Sequence, residues 1–566
     1  MQSYLQYRRL RHAVHRQLET SSLKMQAAPS DGSETPTSYS LSAETDQKRP
    51  EDSEKAPGEN GPHSIESLRG IQVKVFSGAT GAQPKRFFVV DWEGKHDALS
   101  PRNFSLVNRM IATLLVSMLS FAVGAASSIT AAVLPQSSEE FHVSKVAGSL
   151  VTGMYLFGFA TGALFSGPLS EIFGRNMVYL GSLVIFMLFV MASALAPNYR
   201  AELIFRFLSG VFGSPPLTCA GGTIADLWSP LEKTLAFPFY AIFSFSGPIL
   251  APVISSYMGS SSLGWRWANW IILVMSGAVL AIVLLLQPET YAPLLLKWKA
   301  YHFRRATGDS RFVSEMDLSH AEVGAFARIY DALKREFLLT VREPIVILIS
   351  LYMTVIYIII FTFFDGYEYI FGEVHGLSQG IVNIIWVAMF VGMMAAACLV
   401  PVIYRWTKIE FRQAEAIQDS AHTRPENRLW FAMWGAPAIP IGLLWMGWTD
   451  FPHISIWSPI VASTFVGYGT ILVFISSYMY VIDVYDIYAA SALSFMTVSR
   501  YYVAGGMTVV GIPFYRNMGV HYTLTILACI SSLMTLVPYM FYRYGPTIRS
   551  WSKYATHNGS GASVAY

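Results

Sequence analysis

The chain alternates between long apolar runs and short polar breaks. Twelve runs are predicted to cross a membrane, near residues 110–134, 146–166, 177–196, 202–224, 234–256, 266–286, 344–364, 380–402, 429–449, 457–482, 489–514 and 521–541. A helix that crosses the hydrocarbon core needs roughly 20 predominantly apolar residues. Backbone polar groups cannot be left open in lipid, so these runs are expected as helices. The short alternating segments of a membrane barrel are absent. The fifth, ninth and tenth runs carry prolines, each of which removes a backbone donor and bends a helix.

A break at 287–342 separates six runs from six. The expected class is an all-α membrane protein with twelve transmembrane helices in two six-helix halves, 89–286 and 344–542. A central loop at 287–343 joins them, and tails lie at 1–88 and 543–566. Transporters are often built from two such halves, with the substrate site near the bilayer midplane.

Composition agrees with the pattern. Hydrophobic residues make up 53% of the chain and charged residues only 14%, against about 25% charged in a soluble domain. The first 88 residues are rich in Ser, Glu, Pro, Gln and Lys, and 27–62 has almost no large apolar residues, so this tail is expected to be disordered. The N-terminus is basic but lacks the apolar core of a cleaved signal. Cys219, Cys398 and Cys529 fall inside predicted spans and read as packing residues.

The net charge of +3 says little, but its distribution orients the chain. Lys297, Lys299, Arg304, Arg305, Arg311, Arg328, Lys334, Arg335 and Arg342 crowd the central loop. Arg405, Lys408, Arg412, Arg424 and Arg428 crowd the break between the eighth and ninth runs. The opposite breaks hold Lys145, Arg200 and Arg516, with Arg266 at a border. Basic loops stay in the cytoplasm, so both termini are expected there. The sequons at Asn103 and Asn558 then lie on the wrong side for glycosylation, and none is expected.

Several segments carry chemistry. Between the second and third runs stands Gly167-Pro-Leu-Ser-Glu171-Ile-Phe-Gly174-Arg175-Asn176, a tight turn with an acid and a base. The fourth run holds Arg206-Phe-Leu-Ser-Gly210-Val-Phe-Gly213. An arginine inside a span is costly and marks function by default, unless it snorkels to the interface. The fifth run contains Gly247-Pro248-Ile-Leu-Ala251-Pro252, a bend that lets a neighbour approach closely.

Together these resemble the signature loop, the proton-coupling arginine motif and the antiporter motif of the major facilitator superfamily. Asp97-Ala-Leu-Ser-Pro101-Arg-Asn103-Phe-Ser105, Trp265-Arg266-Trp267-Ala-Asn-Trp270, Pro288-Glu289-Thr290-Tyr291-Ala-Pro293 and Asp483-Val-Tyr485-Asp486-Ile-Tyr488-Ala-Ala-Ser-Ala492 resemble its fungal twelve-span drug:proton antiporter branch. The likeness departs from the family pattern at Glu171, where Asp is usual, at Ala251, where Gly is usual, and at Asn176, where a base is usual. The resemblance implies the major facilitator fold. It implies proton-driven export of amphipathic organic molecules such as drugs, fungicides, polyamines or metabolite toxins, with the plasma membrane expected and a vacuolar membrane the alternative. It implies that Gly167, Glu171, Gly174, Arg175 and Asp226 latch one conformation, and that Arg206 takes part in proton coupling.

Asp365 and Glu368 close the seventh run and are further proton-site candidates. A passive, solvated vestibule is the other reading of both. Asp226 and Asp483 at run ends read as caps or loop contacts. Tyr357, Phe361, Phe364, Trp386 and Arg500 are candidates to line a substrate cavity. Aromatics also fill span interfaces, and Arg500 is open between pairing with an acid and touching an anionic substrate.

The phosphate-binding G-x-x-x-x-G-K-[ST] loop is absent, as are zinc-protease and nucleophile-elbow motifs, so no enzyme, metal or cofactor is expected. The expected partners are a small-molecule substrate, protons and the lipid bilayer, with no nucleic acid, and the chain is expected to act as a monomer. Import by symport or facilitated diffusion, and a sensor that binds without transporting, stand as alternatives.

Overall fold

The computed structural model describes residues 1–26, 68–76, 85–319, 343–416, 424–485 and 489–552, with 327, 329, 330, 333 and 334. The expectations for 27–62, for Arg328, Arg335 and Arg342, for 486–488 and for Asn558 lie outside these residues.

Among the described residues, eleven helices are long and apolar enough to cross a membrane. Spans 1 to 6 are Leu106–Glu140, Lys145–Phe173, Arg175–Ala194, Tyr199–Leu227, Lys233–Ile254 and Trp267–Leu286. Spans 7 to 10 are Pro344–Val374, Gln379–Gln413, Pro425–Thr449 and Trp457–Tyr485. The eleventh helix, Ala489–Trp551, breaks at Gly519, whose φ of 75° lies in the left-handed region that glycine adopts without strain. It is therefore two spans, 11 and 12, and the total of twelve matches the hydrophobic pattern. Both six-helix halves fall in one compact unit, Pro101–Ala292 and Glu322–Tyr566 with Met1–Ser3.

The prolines of span 5 show how a bent helix survives in an apolar setting. Pro252 has no N–H to give the Pro248 carbonyl, and the Ser128 hydroxyl of span 1 donates to that carbonyl instead, at 2.7 Å. Ser105 starts span 1 by accepting from the Asn108 N–H at 3.3 Å. Span 12 runs ten residues past the predicted end, to Trp551 (551 − 541 = 10), because Arg549 is buried there against Glu426 at 2.9 Å. The expected C-terminal tail thus begins as helix.

The second unit is Tyr4–Ser100 and Pro293–Ala321. Its helix Gln2–Gln26 and strands β1 (Ile71–Phe76) and β2 (Lys85–Val90) lie where composition predicts a disordered tail. The two strands pair antiparallel, and β2 pairs in parallel with the two-residue β3 (Phe312–Val313), so the class is helical with one small sheet. The order comes from a small core. Val14, Leu68, Phe88, Val90 and Phe312 bury against Ala300 and Phe303 of the helix Ala292–Thr307. The tail cannot bury this face alone; the partner is a helix from the central loop, far away in sequence.

Candidate functional site

The turn between spans 2 and 3 is built around Gly174, whose φ of 91° lets the chain reverse directly into the next helix. Arg175 follows, buried. Its Nε lies 3.4 Å from Asp226 Oδ2 at the end of span 4, its guanidinium also donates to the Ser170 hydroxyl, and it stacks over the Tyr291 ring at 5.1 Å. Glu171 is only half-buried, and the ion-pair partner of Arg175 is Asp226. Glu289 completes this corner. Its carboxylate accepts the backbone N–H of Arg175 and Asn176, both at 3.1 Å, of Thr290 at 3.0 Å and of Tyr291 at 2.9 Å. It therefore caps the start of span 3, where the helix dipole favours an anion. Burial pushes this carboxyl above its ordinary value, against the four backbone donors that pull it down.

At the same end, ion pairs join the two halves. Asp483 of span 10 accepts from Lys233 of span 5 at 3.0 Å and from Arg428 of span 9 at 2.6 Å. Arg428 also donates to the Pro230 carbonyl at 2.6 Å and to the Thr234 hydroxyl. Asp483 is thus a bridge between halves rather than a helix cap.

The opposite end is closed mainly by amides. Gln136 donates to Gln379 at 2.8 Å, and Gln379 donates to the Ala132 carbonyl at 2.7 Å. Lys145 and Glu368 add a loose, exposed pair at 3.8 Å. This places Glu368 on the surface and separates it from Asp365, three residues earlier (368 − 365 = 3) and buried. Asp365 Oδ2 has no hydrogen-bond partner. Gly511 lies against that oxygen, and the Tyr515 hydroxyl, likewise unpartnered, lies against the neighbouring Gly366. A cavity of about 750 Å³ opens at this end, lined among others by Tyr515, Tyr369, Lys145, Arg516 and Asp450.

Arg206 does not snorkel. It is 2% exposed, and all three of its nitrogens are partnered. Nε meets Glu202 at 3.2 Å, Nη1 donates to the Ala126 carbonyl at 3.0 Å, and Nη2 donates to Asn269. Ser193 donates to both Glu202 oxygens at 2.8 and 2.9 Å and accepts from Asn269 at 3.1 Å. Spans 1, 3, 4 and 6 are tied by this closed ring. The Gly247 and Pro248 bend packs span 5 on span 1: a Cβ at Gly247 would strike the Phe121 carbonyl. Ala251 and Pro252 are buried beside it.

Between the two closures lies an aromatic seam that includes every predicted cavity residue. Arg500 sits 4.7 Å from the Tyr357 ring. Tyr357 meets Phe361 at 6.0 Å, Phe361 meets Phe364 at 5.3 Å, and Phe364 stacks on Trp386 at 4.5 Å. The seam draws on both halves: Phe245 of span 5 contacts Tyr357, and Phe159 of span 2 lies 4.4 Å from Tyr501 of span 11.

A sequence model of the Major Facilitator Superfamily matches residues 116–509, most of both halves. The chain belongs to this superfamily. The MFS-type transporter kojT of Aspergillus flavus is 42% identical over 579 residues, covering 98% of this chain and all of that protein. The citrinin biosynthesis cluster MFS transporter mrr1 of Monascus ruber is 33% identical, covering 83% of this chain and 92% of its own. Among solved structures, the proton:xylose symporter XylE matches with a TM-score of 0.56 at 14% identity, over 78% of this chain and 96% of that one. That likeness shows the fold.

In this MFS transporter, sequence reading missed Glu202, Asn269 and Ser193 around Arg206, and Lys233 and Arg428 around Asp483. Glu202 had a signal, since it stands one helical turn before Arg206. The cross-half bridge had none, since its members come from spans 5, 9 and 10.

Proposed function

We propose that this transporter exports small organic molecules by proton antiport, with both termini cytoplasmic in the plasma membrane. The observation that carries the reading is Asp365: a buried carboxylate in span 7 whose Oδ2 has no hydrogen-bond partner, beside Tyr515, which lines the cavity at one end of the bundle. Its two protonation states differ by a full charge in a dry site, so occupancy by a proton depends on which end admits water. The end carrying Arg175–Asp226 and the Asp483 bridge is the cytoplasmic gate on this reading, and the amide contacts are the outer gate. A proton enters from the outer cavity onto Asp365, the halves rock, and the proton leaves to the cytoplasm as substrate binds. Relatives support the cargo class, since mrr1 is named for a citrinin biosynthesis cluster.

The test is flux in proteoliposomes of the purified chain under an imposed pH gradient, with an azole, a cationic dye, a polyamine and an aromatic acid as cargo. Substrate movement opposite to the proton gradient, abolished by a protonophore and by Asp365→Asn, is expected. Flux indifferent to the gradient overturns the reading.

A further inference from the structure

Arg500 is 0% exposed, inside span 11 and on the seam between the halves. Its Nη2 donates to the Tyr478 hydroxyl at 2.6 Å and to Thr497 Oγ1 at 3.3 Å. Nε and Nη1 have no hydrogen-bond partner. No carboxylate pairs with it among the described residues. What surrounds it is aromatic: the rings of Tyr357, Tyr478, Tyr501 and Phe474 lie 4.7, 5.2, 5.2 and 5.6 Å from the guanidinium carbon. Ring faces soften the charge but do not neutralise it, and two buried nitrogens whose N–H groups are left open call for an acceptor.

We propose that Arg500 is the receptor for the acidic group of the cargo, and that the cargo is a planar organic acid. The carboxylate or enolate would accept a charge-assisted hydrogen bond from an open N–H at Nε or at Nη1, since Nη2 is already taken by Tyr478 and Thr497. Its ring would lie among Tyr357, Phe474 and Tyr501. The tilted ring pair of Phe159 and Tyr501 comes from opposite halves, so parting of the halves uncovers the site. An amine or polyamine places a second positive charge beside an uncompensated one and is excluded. The inference rests on the antiport reading only for its direction. In that cycle an anion leaves while a proton enters, and both movements run down an inside-negative membrane potential.

The experiment measures binding to the purified full-length protein by thermal stabilisation. It uses matched sets of acid, amide and amine on one ring: benzoate, benzamide and benzylamine; 4-hydroxybenzoate, 4-hydroxybenzamide and tyramine; indole-3-acetate, indole-3-acetamide and tryptamine. At least one acid is expected to bind about tenfold or more tightly than its amide, the contribution of one charge-assisted hydrogen bond, with the amine weakest. Arg500→Gln should erase the acid's advantage and keep the amide's binding. If Arg500→Gln does not accumulate, compression of the acid–amide gap in Arg500→Lys decides the question. No acid outranking its amide, or an acid preference unchanged in both variants, overturns the assignment. Acid binding that depends on Arg500 without proton-driven flux leaves the assignment standing and removes the antiport reading. Proton-driven flux of amines or amides with no acid preference does the reverse.

Discussion

Two arginines are buried in the same bundle, and their surroundings are opposite. Arg206 in the N-terminal half has a partner on every nitrogen, an acid one turn away and a ring of hydrogen bonds that returns on itself. Arg500 in the C-terminal half has one satisfied nitrogen and four aromatic faces. A charge with a complete shell fixes the helices around it. A charge with an open shell is poised to accept something from outside. Family resemblance points to Arg206 as the proton-coupling residue; the geometry makes it the centre of a tie between spans, and on the proposal above Arg500 is the receptive one.

The largest expected effect tests that contrast directly. Glu202→Ala leaves Arg206 buried without its countercharge, which costs about 3–5 kcal/mol where a buried pair is broken from one side. The purified variant should melt far below the parent, and a second change, Arg206→Met, should recover part of the loss. Arg500→Met removes a buried charge that has no acid to lose, so its melting temperature should hold or rise while flux disappears. Equal destabilisation by Glu202→Ala and Arg500→Met would dissolve the distinction between the two sites.

Next comes the bridge between the halves. Asp483→Asn takes the negative charge and one of the two acceptor oxygens from Lys233 and Arg428 and leaves two cations facing each other, a shift of about 1.5–3 kcal/mol against the closed gate. Ser494 of span 11 reports on it, since its hydroxyl is buried and donates to the Ala163 carbonyl of span 2 at 3.2 Å. Maleimide labelling of Ser494→Cys should speed up when Asp483→Asn is added. An unchanged rate would mean that the bridge does not hold this end shut.

How much of this could be read from the chain follows from the range of each interaction. The spans were legible because lipid demands a long apolar helix, a property of consecutive residues; even Gly519 falls in the polar break between two runs. The Glu202–Arg206 pair was within reach, since i and i+4 share a helix face. The Asp483 bridge was not, because Lys233 is 250 positions away in sequence and only the packing of the halves brings it near. The order of Gln2–Gln26 was hidden for the same reason: Leu10, Val14 and Leu18 repeat at helical spacing, but the burial of Val14 and Leu18 depends on a core shared with a helix of the central loop. The open shell of Arg500 is harder still. A missing partner is a statement about every neighbour at once, and no local spacing encodes it.

The smallest effect concerns a pair at the opposite end, outside the spans. His375 Nε2 lies 3.2 Å from Asp450 Oδ1, and both side chains are nearly inaccessible. Burial pushes Asp450 up to about 7, with His521 pulling the other way, and burial holds His375 below its ordinary imidazole value. Near neutral pH His375 is therefore mostly neutral while Asp450 is only partly ionised, so the contact falls short of a full ion pair. The sign for Asp450 follows from its raised value. Its contribution is fully present below the unfolded carboxylate value of about 3.9 and is lost as pH rises through about 7. His375 opposes it, because a depressed imidazole loses stability as pH falls below about 6.5. The parent should thus show a shallow change in melting temperature between about pH 4 and 7. Asp450→Asn should remove the loss on the alkaline side, and His375→Gln should steepen it by removing the opposing group. Parallel profiles for the parent and Asp450→Asn across that window would mean that Asp450 titrates as an ordinary exposed carboxylate, and that this end of the bundle carries no buried charge to set against Arg206 and Arg500.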